Sequence, residues 1–195
     1  MATPAYLKTF RVFVGTTPDF SHLPAMEQEF YLGPDRPAVI LQASSLETLV
    51  RSLILTKMRQ PISSETIERM FGGNGPLSSF SHKIMIGHAL GLYGPVYRHD
   101  LDIIRELRNG FAHVRLPMAL ETPAIAGMCK HLKLPDMPGN MLPYAYSEKF
   151  DLKIVTDETH PRTRFTRSCH TIALRFIELG QYLSGLPGGI GHTLP

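Results

Sequence analysis

Residues 75–113 read GPLSSFSHKIMIGHALGLYGPVYRHDLDIIRELRNGFAH, and this stretch decides the fold of the chain. Serine at 78 or 79 is a residue type that begins helices, and apolar residues then recur at helical spacing. Glycine and proline between residues 91 and 95 predict the end of that helix. A second helix is predicted over about residues 96–112. The segment Arg-Asn-Gly-Phe-Ala-His closes it, and no other part of the sequence offers comparable chemistry.

The apolar residues of this second helix share one side, and an arginine lies beside them. Leu101, Ile104, Leu107 and Phe111 recur at three- and four-residue spacing, which is the repeat of a helix with one buried face. Arg108 therefore borders the predicted core rather than the fully solvated face.

Before this stretch the sequence predicts two helices. The first begins at Asp35-Arg36-Pro37, with Asp35 as the predicted N-cap and Pro37 in the first turn, and ends near residues 57–60. The second is short, begins at Ser63 or Ser64, and runs through Phe71.

After this stretch the sequence predicts two more helices, over about 122–133 and 162–184. The candidate core residues of the last helix are Phe165, Ile172, Leu174, Phe176, Ile177 and Leu183. Short extended pieces are predicted at residues 10–14 and 150–155. The predicted fold class is an all-α helical bundle with a few short extended segments.

Length and composition predict one folded domain. The chain has 195 residues, of which 43% are hydrophobic and 19% charged, as expected for a globular protein. We expect a single helical domain over residues 1–195, with its core at about 35–185 and with residues 1–18 and 186–195 peripheral.

Charge and cysteine content limit the classes of partner. A net charge of +3 is mildly basic and far below that of a dedicated nucleic-acid-binding domain. The first residues lack the pattern of a signal peptide, and the apolar runs are too short and too interrupted to span a bilayer, so we expect a cytoplasmic protein without membrane contact. Cys129 and Cys169 are expected to be reduced thiols.

Arg108, Asn109 and His113 are the residue types that metal-free RNA cleavage requires. A histidine takes a proton from the 2′-hydroxyl near neutral pH, and an arginine pairs with phosphate oxygens. On a regular helix, however, Arg108 and His113 diverge by about 140°. They converge only if the helix loosens near Gly110 or if two protomers share a site at a twofold axis. The structural alternative is a cationic helix end in which Arg108 pairs with Glu106 or another acid.

Other charged and polar groups carry weaker predictions. Arg162, Arg164 and Arg167 form a basic cluster that is interpreted either as a nucleic-acid contact or as the solvated start of a helix. Asp100 and Asp102 are predicted to form surface ion pairs with neighbouring residues of their helix. The histidines show no metal-ligand spacing, so we expect no metal and no cofactor; those considered are His82, His88, His99, His113, His131 and His170.

With this order of elements, the closing Arg-Asn-x-x-x-His segment resembles the motif of the HEPN superfamily. The larger stretch is similar to the mannitol operon repressor family, whose bundles resemble those of HEPN proteins. The resemblance covers about residues 40–115. The matching residues are Gly75-Pro76-Leu77, Phe80-Ser81, Ile84 to Leu92, and Leu107-Arg108-Asn109 through Ala112-His113.

The resemblance implies three functions. The leading one is a non-enzymatic regulatory protein, similar to mannitol operon repressors, that acts through protein or weak nucleic-acid contacts. The family is described as transcriptional regulators, yet this sequence shows no DNA-reading helix. The second is a metal-independent ribonuclease of HEPN type, such as a toxin, with Arg108, Asn109 and His113 as catalytic residues. The third is a structural interaction module with a relic motif. The resemblance to HEPN proteins also implies that this chain forms a homodimer.

Overall fold

The computed structural model describes residues 29–138 and 157–185. Its helices are α1 (Asp35–Thr56), α2 (Ser64–Phe71), α3 (Phe80–Ala89), α4 (Pro95–His113), α5 (Pro123–Lys130), a 3-10 helix (Leu134–Asp136) and α6 (Pro161–Leu183). Residues 29–32 are also helical. Residues 114–122 connect two of these helices and are called the α4–α5 loop. The described ranges contain no strand, and the all-α bundle is confirmed.

The predicted start signals operate at α2 and α3. The hydroxyl of Ser63 accepts a hydrogen bond from the backbone N–H of Thr66 at 3.1 Å. The hydroxyl of Ser79 does the same for His82 at 3.2 Å. Each contact satisfies a backbone donor that the first turn of a helix leaves without a partner.

Helix α1 lies at the centre of the bundle and contacts α3, α4 and α6. The apolar stripe predicted for α4 is buried against it, because Leu101, Ile104 and Phe111 are 0% exposed. Tyr93, just before α4, stacks on Phe176 of α6 with ring centroids 5.0 Å apart. The described helices therefore share one hydrophobic core.

A close approach between α3 and Tyr93 fixes the turn before α4. The hydroxyl of Tyr93 donates a hydrogen bond to the carbonyl of Ile84 at 3.0 Å. A Cβ atom at Gly87 would lie 2.5 Å from that hydroxyl oxygen, so only glycine fits there. The helix that carries the Arg-Asn-x-x-x-His segment thus has a defined starting point.

The prediction for Asp35 is wrong. Pro34 takes the N-cap position, and no side chain caps α1. The carboxylate of Asp35 instead accepts the backbone N–H of Leu120 at 2.6 Å and the guanidinium of Arg162. Asp35 therefore bonds to residues that are distant in the sequence instead of capping its own helix.

Two predictions about the later helices also need correction. Helix α5 ends at Lys130 rather than near residue 133, because the N–H groups of Lys133 and Leu134 bond to the carboxylate of Asp100. Leu174 and Ile177 of α6 are 48% and 46% exposed, so they are not core residues. The stripe of α6 that faces the core consists of Phe165, Cys169, Ile172, Phe176 and Leu179.

Helix α1 is long and apolar enough, by length and composition alone, to cross a membrane, contrary to the sequence expectation. Its apolar stretch is 44% buried in the protein, where Val39, Val50 and Ile54 are 0% exposed. These contacts are those of a central core helix. The predicted extended pieces at 10–14 and 150–155 and the peripheral segments 1–18 and 186–195 lie outside the described residues.

Candidate functional site around Arg108

Arg108 lies on α4 at the border between the core and solvent. Its side chain is 32% exposed, whereas the neighbouring Leu107 is 3% exposed. Its Nη1 donates a hydrogen bond to Oδ1 of Asn109 at 3.1 Å. Its Nη2 lies 3.6 Å from Oε2 of Glu47, which is longer than a hydrogen bond. Arg108 is therefore oriented by its sequence neighbour and only loosely paired with an acid.

Glu47 serves two cations, and this arrangement was not expected from the sequence. Its Oε1 lies 2.5 Å from Nζ of Lys83, which is 5% exposed and also donates to the carbonyl of Ser78 at 3.0 Å. Because one carboxylate faces Lys83 and Arg108 together, the cluster keeps a net positive charge. It is defined as the Glu47 cluster: Glu47, Lys83, Arg108 and Asn109.

The position of Lys83 on its helix could have indicated from the sequence that this lysine has an acidic partner. It falls on the buried face of α3, beside Phe80, Ile84 and Gly87. A lysine at such a position needs an acidic partner, because burying an unpaired charge is costly. The partner, Glu47, lies 36 residues earlier on α1, and only the packing of the two helices shows it.

His113 is not brought to Arg108 within one chain. Helix α4 continues without a break from Pro95 to His113, which is its last residue and is exposed. Gly110 is helical, so the predicted loosening there does not occur. On an unbroken helix the two side chains diverge by about 140°. A shared site between two protomers stays a prediction.

The predicted basic cluster on α6 has structural partners. Arg162 is 8% exposed and donates to the carbonyls of Tyr31 and Gly33 at 2.9 and 2.6 Å, besides its pairing with Asp35. These contacts attach residues 29–34 to the start of α6.

Arg164 is also 8% exposed, and its partners lie after α5. It donates to the carbonyls of Cys129 and Leu132 at 3.1 and 2.6 Å and forms two 2.7 Å bonds to Asp136. Its guanidinium group lowers the pKa of the Asp136 carboxyl group. Arg167 bonds to Glu158 at 2.6 Å. A nucleic-acid role for these arginines stays a prediction, and their placement gives it no support.

Asp100 is the second correction among the charged residues. It is 0% exposed and accepts hydrogen bonds from the N–H groups of Lys133 and Leu134 and from the hydroxyl of Ser168 at 2.8 Å. It therefore ties α4 to α6 instead of forming a surface pair. Asp102 does form the predicted pair with Arg105, 3.9 Å away, and it also lies 3.8 Å from Arg98, which was not predicted.

Two of the histidines and both cysteines contact other parts of the fold. Nδ1 of His88 lies 2.9 Å from the Tyr93 carbonyl oxygen, and Nε2 of His99 lies 3.0 Å from that of His131. Burial raises the pKa of the Cys129 thiol to about 12, which makes it a poor nucleophile at neutral pH. Across residues 29–138 and 157–185, no group of three His, Cys, Asp or Glu side chains is placed to hold a metal ion.

The fold has a counterpart among solved structures. A chain in the X-ray structure of the MtlR–HPr complex from Escherichia coli matches this one with a TM-score of 0.59 and 19% sequence identity, over 80% of this chain and 97% of that chain. No protein-family model matches this chain, and no curated protein matches its sequence. At this level of identity the likeness shows the fold alone. The chain therefore has a fold distantly similar to that of MtlR.

Proposed function

We propose that this chain is a non-enzymatic regulatory protein that acts by binding another protein. The observation that carries the proposal is the fold it shares with MtlR, over 97% of that chain. In that structure a protein of this fold forms a complex with HPr, a protein partner. We extend protein binding, and regulation through it, to this chain.

The geometry of α4 supports binding over catalysis. Arg108 is partly neutralised by Glu47, and His113 leaves the helix in another direction. A general base must reach the proton that it removes, and the phosphate stabiliser must face the same phosphorus. One chain alone does not present that arrangement.

Titration calorimetry with HPr from the source organism tests the proposal. We expect saturable 1:1 binding with a Kd of roughly micromolar strength, typical of transient regulatory complexes. Absence of heat and of any complex on size-exclusion chromatography at about 100 μM of each protein would contradict an HPr-type partner.

Besides protein binding, we propose only weak binding to nucleic acid. The net charge of +3 is small, and Arg162 and Arg164 are held inside the fold. Any binding to duplex DNA is therefore expected to be weak, indifferent to sequence and lost on adding salt. Tight, sequence-selective binding that survives added salt would contradict this part.

The alternative function is a metal-independent ribonuclease, and one observation favours it. Asn109 orients the guanidinium of Arg108 while about a third of that side chain stays exposed, and His113 is exposed nearby on the same helix. A homodimer with the two α4 ends facing each other would bring Arg108 of one copy to His113 of the other. The third possible function is a structural interaction module in which the same residues are a relic motif without activity.

RNA cleavage distinguishes these alternatives. A ribonuclease would leave 2′,3′-cyclic phosphate ends in the presence of chelator, and His113→Ala and Arg108→Ala would each abolish cleavage while the control Arg115→Ala retained it. Loss of one such stabilising donor typically costs about 10²–10³ in rate. Light scattering at twice the monomer mass would be required as well. Intact RNA after hours with the wild-type protein rules out the ribonuclease.

A further inference from the structure

The α4–α5 loop is held in place by the start of α1. Nη2 of Arg36 donates hydrogen bonds to the carbonyls of Val114 and Leu116, each at 3.0 Å. At the far end, the N–H of Leu120 bonds to Asp35, and the side chain of Leu120 is 1% exposed. The backbone between these points therefore has little freedom, although it is not part of a helix.

This fixed loop presents apolar side chains to solvent. Leu116 is 70% exposed, the highest value among the large hydrophobic residues of the described ranges, and Val114 is 37% exposed. A single exposed leucine is ordinary on a protein surface. A leucine on a backbone that is already fixed is different, because its burial by a partner costs little conformational entropy.

The surroundings of the start of the loop, at residues 113–116, are basic. Arg115 and His113 are exposed, and Arg36 is half-buried. In the described part of the chain, no carboxylate lies within ion-pair distance of any of these three side chains. The acidic groups of this region lie at the far end of the loop and are engaged elsewhere: Glu121 lies 3.3 Å from Nε2 of His160, and Asp35 binds the N–H of Leu120 and the guanidinium of Arg162.

We propose that the α4–α5 loop is a docking site for a protein partner that offers an apolar face bordered by carboxylates. The inference rests on the proposed protein-binding function and names the surface that performs it. Leu116 packs on that apolar face, and Arg115 and His113 face the carboxylates around it, which set the orientation and the association rate. A nucleic acid would satisfy the cations but would leave Leu116 without an apolar environment, so the loop favours a protein.

Two synthetic peptides of equal length test the chemistry of the site. One is an amphipathic peptide of glutamate, leucine and phenylalanine, and the other replaces every glutamate with lysine. In an NMR titration of the full chain, the acidic peptide is expected to shift the amides of residues 113–116, Met118 and Arg36, with weaker binding at high salt. Equal effects of the two peptides, no shifts at all, or shifts centred on the exposed Leu174 and Ile177 would overturn the proposal.

A matched pair of variants tests the role of the leucine. Leu116→Ser is expected to weaken binding of the acidic peptide roughly tenfold, whereas Leu174→Ser, also exposed, leaves it unchanged. Both positions are on the surface, so both variants should keep the wild-type melting temperature. Equal binding by Leu116→Ser and wild type would overturn the proposal. So would a duplex RNA that binds the same amides as tightly as the peptide.

The same variants separate this inference from the proposed function. If HPr binds wild type and Leu116→Ser equally, the regulatory function stands and the loop is not its docking site. If HPr does not bind but the acidic peptide binds at the loop, the loop stands and the HPr-type partner is wrong.

Discussion

Two regions of this molecule use arginine in opposite ways. At the start of α6, the guanidinium groups of Arg162 and Arg164 are surrounded by carbonyl oxygens and carboxylates, and both residues are 8% exposed. At the end of α4, Arg108 has one hydrogen bond to a side chain and a carboxylate at 3.6 Å, and Arg115 is exposed.

The difference separates a structural role from a binding role. A buried arginine surrounded by acceptors connects separate elements, here residues 29–34 and the segment after α5 to α6. An arginine with unused donors retains interaction energy for a partner. The α6 arginines therefore stabilise the bundle, whereas the α4 end is the surface that we propose for recognition.

The largest expected effect is on the α6 side. Arg162→Met should lower the free energy of unfolding by about 3–5 kcal/mol, because it leaves Asp35, 11% exposed, without its cation. Chemical denaturation measures this, with Arg69→Met as the control, since that arginine is 79% exposed. Equal stability of the two variants would break the comparison.

Arg164→Met should destabilise less, by about 1–3 kcal/mol. Its partner Asp136 is 65% exposed, so water replaces the lost ion pair, and only the carbonyls of Cys129 and Leu132 lose a buried donor. The same denaturation series gives the ranking. A larger loss of unfolding free energy than in Arg162→Met would contradict the inference that Asp35 depends more on its arginine than Asp136 does.

A smaller effect is expected from acid, again on the α6 side. Burial lowers the pKa of His170 to about 4, below its ordinary value of 6.5, and its ring packs on Phe30 and Tyr31. Between about pH 6.5 and 4 the unfolded chain takes up a proton that the folded chain does not, so stability falls as pH falls. The slope from this group is at most about 1.4 kcal/mol per pH unit, because the folded and unfolded chains differ by at most one bound proton at this residue.

The control for this pH dependence uses the same helix. His170→Gln should flatten the stability profile over that interval, whereas Ile177→Gln, at a position 46% exposed, should keep the wild-type slope. A wild-type slope in His170→Gln would mean that other groups produce the acid sensitivity.

The smallest stability effect is expected at Arg108. Arg108→Met should change the free energy of unfolding by less than about 1 kcal/mol, because partly exposed pairs contribute little. Its thermal unfolding should nearly match wild type. A loss as large as that of Arg162→Met would show that Arg108 is structural, and the two regions would no longer differ.

The helices could be predicted from the sequence because their signals are local. Ser63 and Ser79 cap helices where the pattern predicted, α4 begins at Pro95, one residue before its predicted start, and its buried stripe follows the apolar spacing. Periodicity also predicted the border position of Arg108.

The charge partners could not be predicted, because they depend on contacts between distant segments. Asp35 and Arg162 are 127 residues apart, and Asp100 and Ser168 are 68 apart. In the sequence, Asp35 has the pattern of a helix cap and Asp100 that of a surface group, so neither aspartate is recognisable as a buried polar residue. Leu174 and Ile177 fit a helical stripe in the sequence, but packing against α1 uses the other face of α6.

Hydrogen–deuterium exchange of the full chain, alone and with HPr, tests the central claim most directly, because it shows both whether a protein binds and where. The account predicts slower exchange at residues 108–117, with little change in the first turns of α6. Unchanged exchange throughout the chain at saturating HPr, or protection confined to α6, would contradict it.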